Sequence, residues 1–388
     1  NKKLFERVEY LWINRATLNL SLEQERVLML THRGFVRAGS QLQGKAADRM
    51  TQIKSRLASL GTNFTQNLLA DERDWFLDLT DVDLLGLPDF VVATARAAGQ
   101  EKGADGPIVT LSRSLIVPFL QFSDRRDLRE IAYKAWISRG ANGGTTDNRS
   151  AATETLKLRH EKATLLGFDC FADFKLATEM AKTPKRVREL LMEVWAPAKA
   201  HADNDSKTLK KMMEKEGVRG PLQAWDWRYY AEKRRMVEHD LDEAELKPYL
   251  TLEQMIAAAF DCASRLFGLS FTEVNQPLYH TDARVWEVRR NGKHLALFIG
   301  DYFARSSKRS GAWCSALQSQ RKKPNVRSPI VINVCNFAKP IHGEVALLSF
   351  DDARTLFHEF GHALHQMLSD VTYSSVSGTS VARDFVEL

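Results

Sequence analysis

Apolar residues recur along most of this chain at i, i+3, i+4 and i+7, the spacing of one face of a helix, and so predict a mainly α fold. Windows 49–60, 150–167, 206–216 and 252–267 all carry the pattern. Ser21, with Gln24 three residues on, forms a capping box ahead of another such stretch. Thr183-Pro184 supplies an N-cap and a first-turn proline, and Val187, Leu190, Leu191, Val194 and Trp195 follow as one predicted buried face. Turn residues at 140–144 and 217–221 separate helices. One region changes period. Residues 283–290 alternate, Asn291-Gly292 is a tight-hairpin pair, and 294–299 reads as the returning strand. Residues 330–337, after Pro329, read as a third strand. The expectation is a small sheet within 283–337 beside a helix at 349–368, which opens on a Ser349/Asp352 capping box. Composition marks no sharp boundary, so the chain divides coarsely into a helical region 1–175 and a region 176–388 that holds the sheet and this helix.

That last helix carries the chemistry. Residues 356–368 read LFHEFGHALHQML. His358 and His362 are four apart, so a helix projects them from one face, a turn apart, where both can bind one Zn²⁺. Glu359 follows the first histidine and can reach a water at the metal without being a ligand; H-E-x-x-H is the pattern of a zinc peptidase whose glutamate is the general base. Ala353, Leu356, Phe357, Phe360, Ala363, Leu364 and Met367 give the helix the broad apolar face of a deeply buried element. His365 lies two turns, about 10 Å, from His358, too far to share one ion with it, and reads as a pocket or packing residue. A catalytic zinc needs a third protein ligand. Asp370, Asp384 and Glu387 are the acidic candidates downstream, and spacing alone does not choose among them.

Composition narrows the function class. The 388 residues are 44% hydrophobic and 27% charged, the mix of a soluble globular protein. No apolar run reaches the roughly 18 residues of a membrane-spanning helix, and NKKLFERVEYLW has charges where a signal peptide would be apolar, so the expected setting is cytoplasmic. The four scattered cysteines, Cys170, Cys262, Cys314 and Cys335, include no C-x-x-C pair and read as reduced thiols. A net charge of +6 from 55 basic and 49 acidic residues is too mild to predict a nucleic-acid binder. The richest basic stretches, RRDLRE at 125–130 and Lys308, Arg309, Arg321, Lys322 and Lys323, read as solvated faces.

FHEFGHALH, followed by SGTSVARDFVEL, resembles the thimet oligopeptidase/oligopeptidase A family of zinc metallopeptidases, and its bacterial peptidyl-dipeptidase branch most of all. TLSRSLIVPFLQFSDRRDLRE, RGANGGTTDN, WDWRYYAEK, DYFARSSKRSGAW and NVCNFAKP extend the likeness over essentially the whole chain. The resemblance implies a helical ellipsoid cut by a deep substrate channel, one Zn²⁺ per chain, and Glu387 of the F-V-E segment as third ligand beside His358 and His362. It also implies short peptides as substrates, release of C-terminal dipeptides and a monomer. The 330–337 strand would offer an exposed edge to the substrate backbone. Lys308 or Arg309 are candidates to hold the substrate carboxylate, although a mobile basic loop is the plainer reading of that segment. Two other functions stand beside this one: an endo-acting oligopeptidase of the same family, and a non-catalytic helical binding protein with a vestigial motif. Family members extend further at both ends, and their C-terminal section carries the tyrosine and histidine groups that stabilise the oxyanion. The resemblance therefore implies a truncated chain, with weak zinc retention and little turnover if these 388 residues are the whole molecule.

Overall fold

A computed structural model of the protein describes residues 2–239, 243–305, 307–309, 311–340 and 344–387. The fold is mainly helical, as its periodicity predicts. Ser21 and Gln24 close their reciprocal capping box at the start of the helix Leu22–Arg37. Windows 49–60 and 150–167 fall inside two long helices, Gly44–Asp74 and Arg149–Leu165, which pack together. Two bidentate pairs, Arg49 with Glu161 and Arg56 with Glu154, tie those two helices across their exposed flank. Among the described residues no helix is long and apolar enough to cross a membrane.

Thr183 caps a continuous helix Pro184–Lys215 that absorbs the 206–216 window, but its predicted buried face is not buried. Leu190, Leu191, Val194 and Trp195 are 58–64% exposed. The helix packs through its far end instead, where Leu209 and Met213 meet Tyr229 and Tyr230 of the helix Ala224–His239. An amphipathic pattern states that a face favours burial; it does not say that a partner lies within reach.

The basic stretch 125–130 also departs from a solvated face. Arg126 and Arg129 converge on the fully buried Asp226, and Arg129 is itself 1% exposed. They join the helix Arg126–Ile137 to Ala224–His239, so this charge is structural.

Among the described residues, seven strands form two sheets. β1 (Phe76–Asp78) and β2 (Ile108–Thr110) make a short antiparallel pair among the N-terminal helices. β3 (Leu269–Glu273), β4 (Arg284–Arg290), β5 (Lys293–Phe303), β6 (Trp313–Gln318) and β7 (Ile330–Phe337) make the second sheet, in the order β3-β4-β5-β7-β6. The hairpin predicted at Asn291-Gly292 joins β4 to β5, with φ of 51° and 75° at those residues, as a two-residue turn of the right twist requires. β7 is parallel to β5 on one side and antiparallel to β6 on the other. It is thus interior, and the expectation of a free edge at 330–337 is corrected: the edge on that side is β6. Two helices, Leu252–Phe267 and Phe350–Met367, cover one face of the sheet, and their apolar residues interleave with Trp286, Phe298, Val331, Cys335 and Phe337.

Lys308, after β5, is fastened and not part of a loose basic face. Lys308, 4% exposed in its side chain, pairs with Asp301 at 2.9 Å and donates to the carbonyls of Asp301, Phe303 and Cys335. Every proton on its ammonium is engaged, so it is not available to hold a substrate carboxylate. Arg309 is exposed, with its guanidinium 5.0 Å from the Trp313 ring centre. Asp301 also accepts from Arg305 and Tyr279. Burial opposes its ionisation, but the bonds from Arg305, Tyr279 and Lys308 outweigh it and bring its carboxyl down to about 2 from an ordinary 3.8. A folded-state value below the unfolded one means that the stabilisation is complete above pH 4 or so and disappears as pH falls towards about 2. Asp301→Asn should cost about 3–5 kcal/mol at neutral pH by leaving the two cations unpaired. Urea unfolding at pH 7 and pH 3 checks this: the wild type should lose stability on acidification, and the variant should lack that component.

Candidate metal centre

The helix Phe350–Met367 opens on the Ser349/Asp352 capping box and turns Leu356, Phe360, Ala363 and Met367 into the core between the sheet and Leu252–Phe267. With that face fixed, the 3.6-residue repeat directs His358 and His362 to another side. Their Nε2 atoms meet 3.0 Å apart. Glu387, just beyond the short helix Arg383–Val386, brings Oε2 to 3.4 Å from His358 Nε2 and 3.5 Å from His362 Nε2. Among the described residues these three form the one group of His, Cys, Asp or Glu side chains able to hold a metal ion together, with all ligand atoms within 4.8 Å of one another. Donors arranged tetrahedrally around zinc at its usual bond lengths stand about 3.3 Å apart. The separations of 3.0, 3.4 and 3.5 Å therefore fit such an ion, and two imidazoles with one carboxylate form a donor set of the catalytic type. The side chains of His358 and Glu387 are about half exposed, so the site faces solvent.

The chain returns to this helix through a close-fitting loop. Ser377 Oγ and the Gly378 amide both bond to Ser369 Oγ. Gly378 has φ 49°, and a Cβ there would lie 2.8 Å from Gln366 Cα, so only glycine lets the loop pass this close. The Asp384 carboxylate then accepts from the Met180 and Ala181 amides, and Glu179 accepts from the Arg383 amide. These bonds separate the three acidic candidates. Asp384 is an anchor to a distant segment, Asp370 pairs with Lys322 at 2.8 Å, and Glu387 alone meets the histidines. His365 stands apart, lining a cavity of about 680 Å³ with Phe267, Leu364, Leu368, Val376 and Val381.

Glu359 is 7% exposed and has no hydrogen-bond partner among the described residues. Burial raises its carboxyl above the ordinary range, with His358 opposing and Glu387 reinforcing the shift. Cys314 and Cys335 lie on β6 and β7 within the field of Glu359, and burial pushes the Cys314 thiol up to about 12 and raises that of Cys335 as well. Both remain neutral thiols at pH 7, which suits packing under the helix rather than metal ligation. The edge strand β6 is what the sequence reading missed. Its residues Trp313–Gln318 do not alternate in burial, being half-buried at 313–315 and 318 and exposed at 316 and 317, so it carries no period-2 signal.

A helix-borne histidine pair with a carboxylate from a following segment, set beside a mixed sheet in a mainly helical body, defines a metallopeptidase-like architecture. Residues 119–388 match the model of Peptidase family M3, and the chain belongs to that family. It is 38% identical over its whole length to a dipeptidyl carboxypeptidase of Escherichia coli (strain K12), covering 57% of that protein. It is also 33% identical to oligopeptidase A of the same organism, over 96% of this chain and 56% of the relative. The chain therefore spans less than three fifths of the length of these curated relatives.

The anchoring bonds generate a prediction about metal affinity. Asp384→Ala frees the segment that carries Glu387 and should weaken zinc binding about 10-fold or more, in the range seen when groups supporting a metal ligand are removed. Asp370→Asn should leave it unchanged. Competition with a chromophoric chelator measures both, and equal affinities in the two variants would contradict the anchoring role.

Proposed function

We propose that this chain is the zinc-binding portion of a peptidase that hydrolyses short peptides and releases C-terminal dipeptides, acting as a monomer in the cytoplasm. The observation that carries the reading is the meeting of His358, His362 and Glu387 at one point, with Glu359 next to the first histidine on the same helix. When bound, zinc supplies Lewis acidity towards the scissile carbonyl and lowers the pKa of a water to about 7. His358, His362 and Glu387 would hold it. Glu359 takes the proton of the attacking water and returns it to the leaving amine. Its burial and raised carboxyl suit a group that must hold a proton between those two steps. The free edge of β6, next to the metal helix, is the surface on which we place the substrate backbone, as an added strand.

Dipeptide release rests on the likeness to dipeptidyl carboxypeptidase. The likeness to oligopeptidase A supports a second reading, internal cleavage without need of a free carboxylate. One peptide, offered as free acid and as C-terminal amide with and without a chelator, separates them by mass-spectrometric product mapping. Chelator-sensitive dipeptides from the free acid alone are expected; internal cuts in both forms would assign the endo-acting alternative. Glu359→Gln should keep its zinc and lose about 10²–10⁴-fold in kcat. A variant of unchanged turnover would remove Glu359 from the mechanism.

A further inference from the structure

Away from the metal centre, two helices bring cations together around one aromatic cluster. Arg37 ends the helix Leu22–Arg37, and its guanidinium carbon stands 3.9 Å from the centre of the Phe174 ring. Lys162, from Arg149–Leu165, holds its ammonium 5.3 Å from the same ring. Arg159, one turn earlier, lies 5.3 Å from the ring of Phe171, which packs on Phe174 at 5.8 Å. The faces of these rings hold the cations electrostatically. Arg33 and Lys54 add their charge to Arg37 and Lys162 respectively.

What these cations lack is an acid. Among the described residues none of the five is within ion-pair distance of a carboxylate. Of the acids adjacent in sequence to these groups, Glu161 is held bidentately by Arg49, and Asp173 accepts from Cys170. Glu179 alone is felt by Arg37, and it already takes the Arg383 amide and pairs with Lys175. Elsewhere the chain compensates buried charge closely, as at Asp226 and Asp301. Here burial and the charges of Lys54, Arg37 and Arg159 pull the Lys162 ammonium below its ordinary range. Like charges held this close repel unless a counter-ion joins them.

We propose that Arg37, Arg159 and Lys162, fixed on Phe174 and Phe171, form a binding site for a multiply charged phosphate anion. A single carboxylate would leave most of the charge uncompensated, whereas a di- or triphosphate offers several oxygens at once to two guanidinium forks and an ammonium. The site stands independently of the peptidase reading, because none of its residues belongs to the metal centre.

The test is isothermal calorimetry and thermal melting of the 388-residue chain with tripolyphosphate, ATP and orthophosphate, against sodium chloride of matched ionic strength. Tripolyphosphate should bind and raise the melting temperature, with orthophosphate at least 10-fold weaker. ATP equal to tripolyphosphate would identify the site as a reader of phosphate charge alone, and ATP tighter would identify a nucleotide site; both support the proposal. Arg159→Gln, at an exposed position, and Lys162→Met, which keeps the aliphatic stem, should each weaken tripolyphosphate at least 10-fold. Without anion, Lys162→Met should melt roughly 1–2 °C higher than the wild type, because a repulsion has been relieved. A merely structural lysine would give the opposite sign. The proposal fails if tripolyphosphate acts no differently from matched salt, if both variants bind it as the wild type does, or if Lys162→Met melts lower. It also fails if an oligonucleotide of equal phosphate content binds far more tightly, since that would make the cluster part of an extended nucleic-acid surface.

Discussion

The burial of Leu356, Phe360, Ala363 and Met367 between the sheet and the helix Leu252–Phe267 is the constraint on which the site depends. A helix has one rotation about its axis that satisfies such a face, and once it is set the directions of His358, Glu359 and His362 are no longer free. The stacked Phe260 and Phe271, with Phe360 and Phe298 packed around them, make that rotation hard to slip. Rings that interlock in this way permit no gradual turn of the helix, because interiors this dense transmit displacement. The result is a pair of imidazoles prearranged for one ion and a carboxylate held in an apolar flank.

The carboxylate that meets the two histidines is positioned by a different kind of force. Glu387 is half exposed and directly follows a helix only four residues long, too short to be stable by itself. Its place is fixed from outside, by Gly378 lying against Gln366, by the Met180 and Ala181 amides donating to Asp384, and by the Arg383 amide donating to Glu179, about 200 positions earlier in the chain. The metal set is therefore part core and part tether, and the tether ties the N-terminal helices to the chemistry.

This difference explains what was legible in the sequence. The H-E-x-x-H spacing, the Ser349 and Ser21 capping boxes and the Asn291-Gly292 hairpin are local codes, complete within a few residues, and each was readable. The choice of Glu387 over Asp384 and Asp370 was not readable from spacing, because it depends on where Met180, Ala181 and Lys322 come to lie. Leu190, Leu191, Val194 and Trp195 were misread because periodicity reports a preference of the helix and not the presence of a neighbour. β7 is legible as a strand but not as an interior one, since strand order is a property of the sheet and β6 carries no alternating signal. The cations on Phe174 and Phe171 come from two helices more than a hundred positions apart, so no local stretch of sequence announces them.

Charge placement separates groups that the fold uses from groups that it leaves open. Asp226 and Asp301 are each nearly inaccessible, and each is met by two cations, which is the condition for burying a carboxylate without a large penalty. Removing either partner would strand the other, so these charges are fixed by stability. Glu359 is also buried and yet unpartnered, at the cost of a raised carboxyl, and it stands next to the one group of side chains among the described residues that could hold a metal ion. A chain that can compensate its buried acids elsewhere has no structural need to leave this one bare. The exception is intelligible if the group must exchange a proton with something outside the protein, because a carboxylate locked in ion pairs would hold its proton too weakly to pass it on. The half-buried Lys162 departs from the same pattern with the opposite sign, and by the same reasoning its missing counter-charge belongs to a ligand.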